Sequence, residues 1–196
     1  MNIKEDLIRH NHWLRIYGYN DSHSGNASVR DGDTIWVTPT GSCADTLIAD
    51  ELIACKLNQT PPPGASLDAP LHLAIMQKNP AINAVLHSHG PYSVAITMNG
   101  EDFYPADFEG HLYFKKIPVI SIAYDRYIAE AAALVSEMLL QHPITIVRGH
   151  GVYAAAKNLN LAYKWTCSLE QSAKTCLLAK QAGTLKEPLI NSWIGV

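Results

Sequence analysis

Apolar positions alternate between helical and strand spacing along this chain. Ile3, Leu7, Leu14 and Ile16 lie roughly on one side of a helix predicted over residues 3–17. The stretch "YNDSHSGNASVRDGD" then breaks the rhythm with Gly, Asn, Asp and Ser. Short strands are expected at 27–30 and 34–38 around "DGD", followed by a turn at "TPTGS". Residues 45–53 read as the start of a helix that "KLNQTPPPGAS" cannot continue, so this segment is an ordered loop or a mobile flap. "LDAPLHLAIMQKNP" predicts a helix with Ser66 as its cap and Pro70 tolerated in the first turn. "AINAVLHSH" predicts a strand, and "PYSVAITMNG" a short helix ended by Gly100. "FYPADFEGHLYFKKIPVISIAY" reads as alternating loop and strand, and 126–141 as a helix. "ITIVRGHGVYAAAK" reads as strand, glycine turn and strand. A last helix over about 160–180 carries Leu161, Trp165, Leu169 and Cys176 on one face. Strands in the middle flanked by helices make one α/β or α+β domain over residues 1–196.

Composition narrows the function classes. The chain has 196 residues, 47% of them hydrophobic, which suffices for one sizeable core. A formal net charge of −3 without a Lys or Arg cluster argues against nucleic-acid binding. No apolar run reaches membrane-spanning length, and the N-terminus lacks a signal-peptide core. Four cysteines without a CxxC pair suit a reducing compartment. The expectation is a soluble cytoplasmic protein.

Candidate chemistry begins at "AVLHSHGPY". Side chains at i and i+2 of a strand share a face, so His87 and His89 can turn their rings toward one ion. His150, between Gly149 and Gly151 after another apolar strand, is the natural third ligand. Three histidines with an open position suit catalytic zinc. The alternative is a pair of imidazoles hydrogen-bonded at a strand end, with His150 a turn residue. Asp68 lies four residues before His72 and is a candidate metal ligand or proton carrier. An acid at a helix start also favours the local dipole. Asn26, Thr40, Gly41 and Ser66 lie in donor-rich turns that could surround a phosphate, although neither turn is a nucleotide-binding loop. Tyr113, near Asp107, Glu109 and His111, is a further candidate acid that could reach substrate across a subunit boundary. Aromatic packing is its alternative role.

Five stretches in order, "SGNASVR", "VTPTG", "SLDAPLHLAI", "AVLHSHGPYS" and "VRGHGVYAAAKNLNLAY", resemble the class II aldolase/adducin family over roughly residues 5–180. The resemblance implies a three-layer α/β/α domain with a central, mainly antiparallel sheet, and in many members a homotetramer with sites between subunits. It implies zinc on His87, His89 and His150, a phosphate cradle of Gly25, Asn26, Thr40, Gly41 and Ser66, and Asp68 in the position of a catalytic acid. It also implies a small carbonyl substrate such as a sugar phosphate, cleaved with charge developing next to the carbonyl. Two departures stand out. Leu67 replaces a hydroxyl of the cradle, and Asp68 is one methylene shorter than the aldolases' glutamate. The aspartate is similar to the sugar-phosphate 4-epimerase branch, which uses a C-terminal tyrosine, whereas no tyrosine follows Tyr163 here. The leading expectation is therefore a zinc-dependent lyase. A 4-epimerase is the alternative, followed by a dehydratase and a non-catalytic adducin-like scaffold.

Overall fold

The computed structural model describes residues 2–185. The end of the C-terminal stretch in which the sequence offers no tyrosine, residues 186–196, lies outside them. Helix α1 (Ile3–Ile16) starts at Asn2, whose side chain accepts from the Lys4 amide. The strands are β1 (Asn26–Asp31), β2 (Thr34–Val37), β3 (Ile53–Cys55), β4 (Ala84–Ser88), β5 (Val119–Ile120), β6 (Ile144–Val147) and β7 (Gly151–Ala156). They form one sheet in the order β3-β2-β1-β4-β7-β6-β5. Every pairing is antiparallel except β5 with β6. Between and after the strands run α2 (Ala69–Lys78), α3 (Pro91–Ile96), α4 (Phe108–Tyr113), α5 (Tyr127–Met138) and α6 (Leu159–Gln181).

The alternation of β4 sorts the layers. Ala84 and Leu86 pack with Leu7 and Leu14 of α1 and Leu159 and Ala162 of α6. Val85 points the other way, onto Leu71 and Ile75 of α2 and Val135 of α5. Helices α3 and α4 lie with α6. The result is a three-layer α/β/α arrangement around a mixed, mainly antiparallel sheet, as expected. His87, two residues after Val85, therefore faces the α2/α5 side.

Three local expectations are corrected. Residues 45–53 do not start an α-helix. A single 3-10 turn at Ala49–Glu51 leads into edge strand β3, where pairing with β2 buries Cys55. The region read as loop and strand from 103 holds helix α4, because the Asp107 side chain accepts from the Gly110 amide and caps it. Asp68, not Ser66, is the residue that precedes α2. Its carboxylate makes no capping bond, while the Ser66 Oγ accepts from the Asp68 amide at 3.3 Å. The proline-rich segment is held as an ordered loop at its end, where Thr40 donates to the Gly64 carbonyl and Ser66 to that of Thr38.

Candidate metal centre

Sheet register assembles the centre. Asn26 on β1, His87 on β4 and Tyr153 on β7 are direct cross-strand partners, so the three side chains form one polar row under α2 and α5. His87 stacks on Tyr153 with ring centroids 4.0 Å apart and planes within 2°. Its Nδ1 lies 3.0 Å from the Val152 carbonyl. A carbonyl only accepts, so Nδ1 carries the proton and Nε2 presents a bare lone pair.

His89 lies one residue past β4. Asn20 steadies the turn there, accepting from the His89 amide at 2.8 Å and lying 3.4 Å from the His87 carbonyl as a donor. His150 occupies the turn between β6 and β7, where Gly149 has φ +67°. The His87 Nε2 is 2.9 Å from that of His89 and 3.3 Å from that of His150. Candidate ligand atoms of the three residues all lie within 4.8 Å of one another. Ring nitrogens this close repel unless a cation or a proton sits among them, and three neutral imidazoles suit zinc with an open position.

Gly151 makes the approach of these rings feasible. A Cβ there would come within 2.5 Å of the Ser88 carbonyl oxygen and 2.6 Å of the His89 ring. Gly151→Ala is expected to splay the rings and weaken the cluster's affinity for a divalent metal by about 10–100-fold, as losing a supporting contact does. Competition with a chromogenic chelator reads that shift directly.

Burial keeps the rings neutral. It pushes His87 well below the ordinary imidazole value and lowers His150. Burial and the neighbouring His150 bring His89 to about 4. Burial also brings His72, whose Nδ1 is 2.8 Å from the Ser28 hydroxyl, to about 4 from 6.5. Neutral imidazole is the form a metal requires. Unfolded histidines take up protons near the ordinary value and folded His72 and His89 only near 4, so the unfolded state binds more protons in between. Stability of the metal-free chain is therefore expected to fall as pH drops across that window. The check is a lower urea midpoint at about pH 5 than at about pH 7.5.

Asp68 sits over the polar row, between the N-termini of α2 and α5. Its Oδ2 accepts from Asn26 Nδ2 and from the Tyr153 hydroxyl, both at 2.9 Å, and lies 3.7 Å from His87 Nε2. Its Oδ1 accepts from the Tyr127 hydroxyl at 2.9 Å. Burial alone would raise this carboxyl, but the Asn26 and Tyr127 donors hold it below the usual carboxylate range. Burial raises both tyrosines, as does the Asp68 charge, so they stay protonated. Sequence reading did not single out Tyr127 or Tyr153. The strand pattern placed Tyr153 in β7, but nothing local showed that it faces His87.

A cleft of about 250 Å³ opens beside the histidines. Gly25, Asn26, Thr40, Gly41, Ser66 and Asp68 all line it together with His87, His89 and His150, as does Tyr127. Among the described residues its walls hold no Lys or Arg, and Leu67, 75% exposed, lies on its rim. Gly25 has φ +73°, and a Cβ there would meet the Asn20 side chain at 2.2 Å, so the turn that opens the cleft needs glycine. Tyr113 is not part of this wall. It packs edge-on against Trp165, with Lys164 Nζ 3.9 Å from its ring centroid. Its neighbour Asp107 caps α4, and neither Glu109 nor His111 lines the cleft. Arg148 points away, donating to the Met98 carbonyl at 2.7 Å.

Buried Glu170 on α6 supports the segment after the HxH pair. Its carboxylate accepts from the Tyr92 and Ser93 amides at 2.8 and 3.0 Å, which holds the N-terminus of α3 against α6.

Comparison with known proteins agrees with this architecture. Residues 5–177 match the family model described as the class II aldolase and adducin N-terminal domain. The chain is 33% identical over 156 residues to an L-fuculose phosphate aldolase of Methanocaldococcus jannaschii, covering 79% of this chain and 84% of that one. It is 26% identical over 190 residues to a methylthioribulose-1-phosphate dehydratase of Pseudoalteromonas translucida, covering 84% and 89%. The crystal structure of L-fuculose-1-phosphate aldolase from Thermus thermophilus superposes with a TM-score of 0.87 at 26% identity, over 94% of this chain and 97% of that one. With the fold, the histidine cluster and the family match in agreement, the chain belongs to the class II aldolase/adducin family.

Proposed function

We propose that this protein is a zinc-dependent aldehyde-lyase that cleaves a short hydroxyketone or ketose phosphate into an aldehyde and a ketone fragment. One observation carries the reading. Three neutral imidazoles converge beside an ionised aspartate at the base of a donor-rich cleft. His87, His89 and His150 would hold the ion, which when bound supplies a Lewis acid for the charge that a carbonyl gains as the adjacent carbon–carbon bond breaks.

The chain's own residues do the rest. The Asp68 carboxylate takes the proton from the hydroxyl at the bond that breaks. Gly25, Asn26, Thr40, Gly41 and Ser66 receive the anionic end of the substrate through amides and hydroxyls. With no Lys or Arg among the described residues of the walls, the bound ion and these dipoles would supply the positive field there. Tyr113 enters as an acid only from a second copy of the chain, because within one copy it packs on Trp165. A cytoplasmic homotetramer accompanies the reading. Tyr124, Ile128, Phe108 and Leu112 are large apolar side chains left exposed on the single chain, and all four cysteines are free. Among the described residues no helix is long and apolar enough to cross a membrane.

The test is zinc-loaded protein incubated with L-fuculose 1-phosphate and other ketose 1-phosphates. Aldehyde release that stops on chelation and returns with zinc supports the lyase. Inversion of a stereocentre with the carbon chain intact would replace it by the 4-epimerase, and release of water alone by the dehydratase. Zinc binding without chemistry on any of them leaves the scaffold.

A further inference from the structure

Asp68, Tyr127 and Tyr153 form a closed triangle of hydrogen-bond contacts. Each tyrosine hydroxyl donates to a different Asp68 oxygen, and the two hydroxyls also touch each other. With Asp68 ionised, two protons serve three contacts, so the edge between the tyrosines holds none. A third proton placed on Asp68 gives every edge one. The triangle is therefore built to accept a proton at Asp68 and pass it round.

The two tyrosines differ in access. Tyr153 is fully buried, stacked on His87. Tyr127, the first residue of α5, lines the cleft with its ring edge-on to His150, centroids 4.7 Å apart. Asp68 Oδ2 is held by Asn26 and Tyr153, while Oδ1 has Tyr127 as its partner.

We propose that Tyr127 is the second proton-transfer residue of this site, the acid that protonates carbon after cleavage, and that Tyr153 is a positioning residue for Asp68. This rests on the lyase reading above. The substrate hydroxyl gives its proton to Asp68 Oδ1 as the adjacent carbon–carbon bond breaks, and its oxygen becomes the aldehyde carbonyl. The electron pair stays on the carbon next to the ketone. Tyr127 gives its phenolic proton to that carbon, and Asp68 passes the substrate's proton to the Tyr127 oxygen. One O–H and one C–C bond are lost, one C=O π bond and one C–H bond are gained, and the protein returns to its starting state without an outside acid, base or redox agent.

The experiment compares wild type, Tyr127→Phe and Tyr153→Phe, each first checked for zinc content and thermal midpoint. L-Fuculose 1-phosphate and other ketose 1-phosphates are the probes, in D2O. Wild type is expected to release aldehyde and to place solvent deuterium in the ketone fragment. Tyr127→Phe should release aldehyde in the first turnover within about tenfold of wild type, while deuteration and steady turnover fall about 10²–10⁴-fold, the usual worth of a positioned acid. Hexacyanoferrate(III), which oxidises the electron-rich carbon, should restore its turnover. Tyr153→Phe should slow aldehyde release and deuteration in equal proportion. Deuteration by Tyr127→Phe at the wild-type rate would overturn the assignment, as would equal slowing of both steps in that variant. If Tyr127→Phe fails to hold zinc or to fold, the Tyr153→Phe ratio decides, since uncoupled steps there would name the wrong tyrosine. A zinc-loaded wild type that cleaves none of the probes removes the lyase reading itself and the assignment with it.

Discussion

His150→Ala is expected to abolish the zinc binding of the proposed lyase and leave the fold in place. The residue sits in the turn between β6 and β7 and is partly exposed, so its loss disturbs neither the sheet nor either core face. His87 is a poorer choice for this test, because its ring is buried on Tyr153 and held by the Val152 carbonyl. With two imidazoles left, affinity should fall by more than the roughly 10–100-fold that losing a supporting contact costs. In the proposed lyase a bound ion would stabilise developing charge by several kcal/mol, so turnover should fall by about 10³–10⁴-fold. Metal analysis after gel filtration, with circular dichroism for the fold, checks both halves. A variant that keeps stoichiometric zinc would remove His150 from the ligand set.

Asp68→Asn separates proton transfer from metal binding. The variant should retain zinc and the fold while kcat drops about 10²–10⁴-fold. Asparagine fits the local hydrogen bonding. Its amide can donate to the Tyr127 oxygen, Tyr127 to Tyr153, and Tyr153 to the remaining Asn oxygen, so each of the three contacts keeps a proton. What disappears is the negative charge and the ability to take a proton. Substrate affinity should change far less than kcat, because the donor-rich end of the cleft is untouched. Full activity in the variant would assign proton transfer elsewhere. Zinc loss would make Asp68 a ligand, in line with its 3.7 Å approach to His87 Nε2.

The relatives span more than one reaction. An aldolase and a dehydratase both match most of this chain. On the proposed reading, the histidines and Asp68 would serve the charge that develops next to a carbonyl. On that reading, which bond breaks would follow from how substrate lies against Asp68 and Tyr127, which line the cleft together with Leu67.

Much of this architecture was legible from local pattern. Period-two alternation put His87 on one face of β4, glycines flanking His150 marked a tight turn, and the donor-rich stretches at 24–28 and 38–41 named residues that line one cleft. These signals work because strand alternation and turn chemistry involve only neighbouring residues. Where local pattern failed, distant pairing or a single cap had decided the outcome. Residues 53–55 became an edge strand because β2 offered a partner, and α4 formed because Asp107 caps it and α6 covers it. Tyr127 and Tyr153 lie 59 and 85 residues from Asp68 in sequence, and no local periodicity links them to it. Sequence by itself therefore determined the parts of the centre, namely the three histidines, the aspartate and the glycines that let them approach. Tertiary structure decided what surrounds them. It placed two tyrosines on the aspartate and left Tyr113 on Trp165, because antiparallel register and helix packing, both non-local, choose which side chains meet.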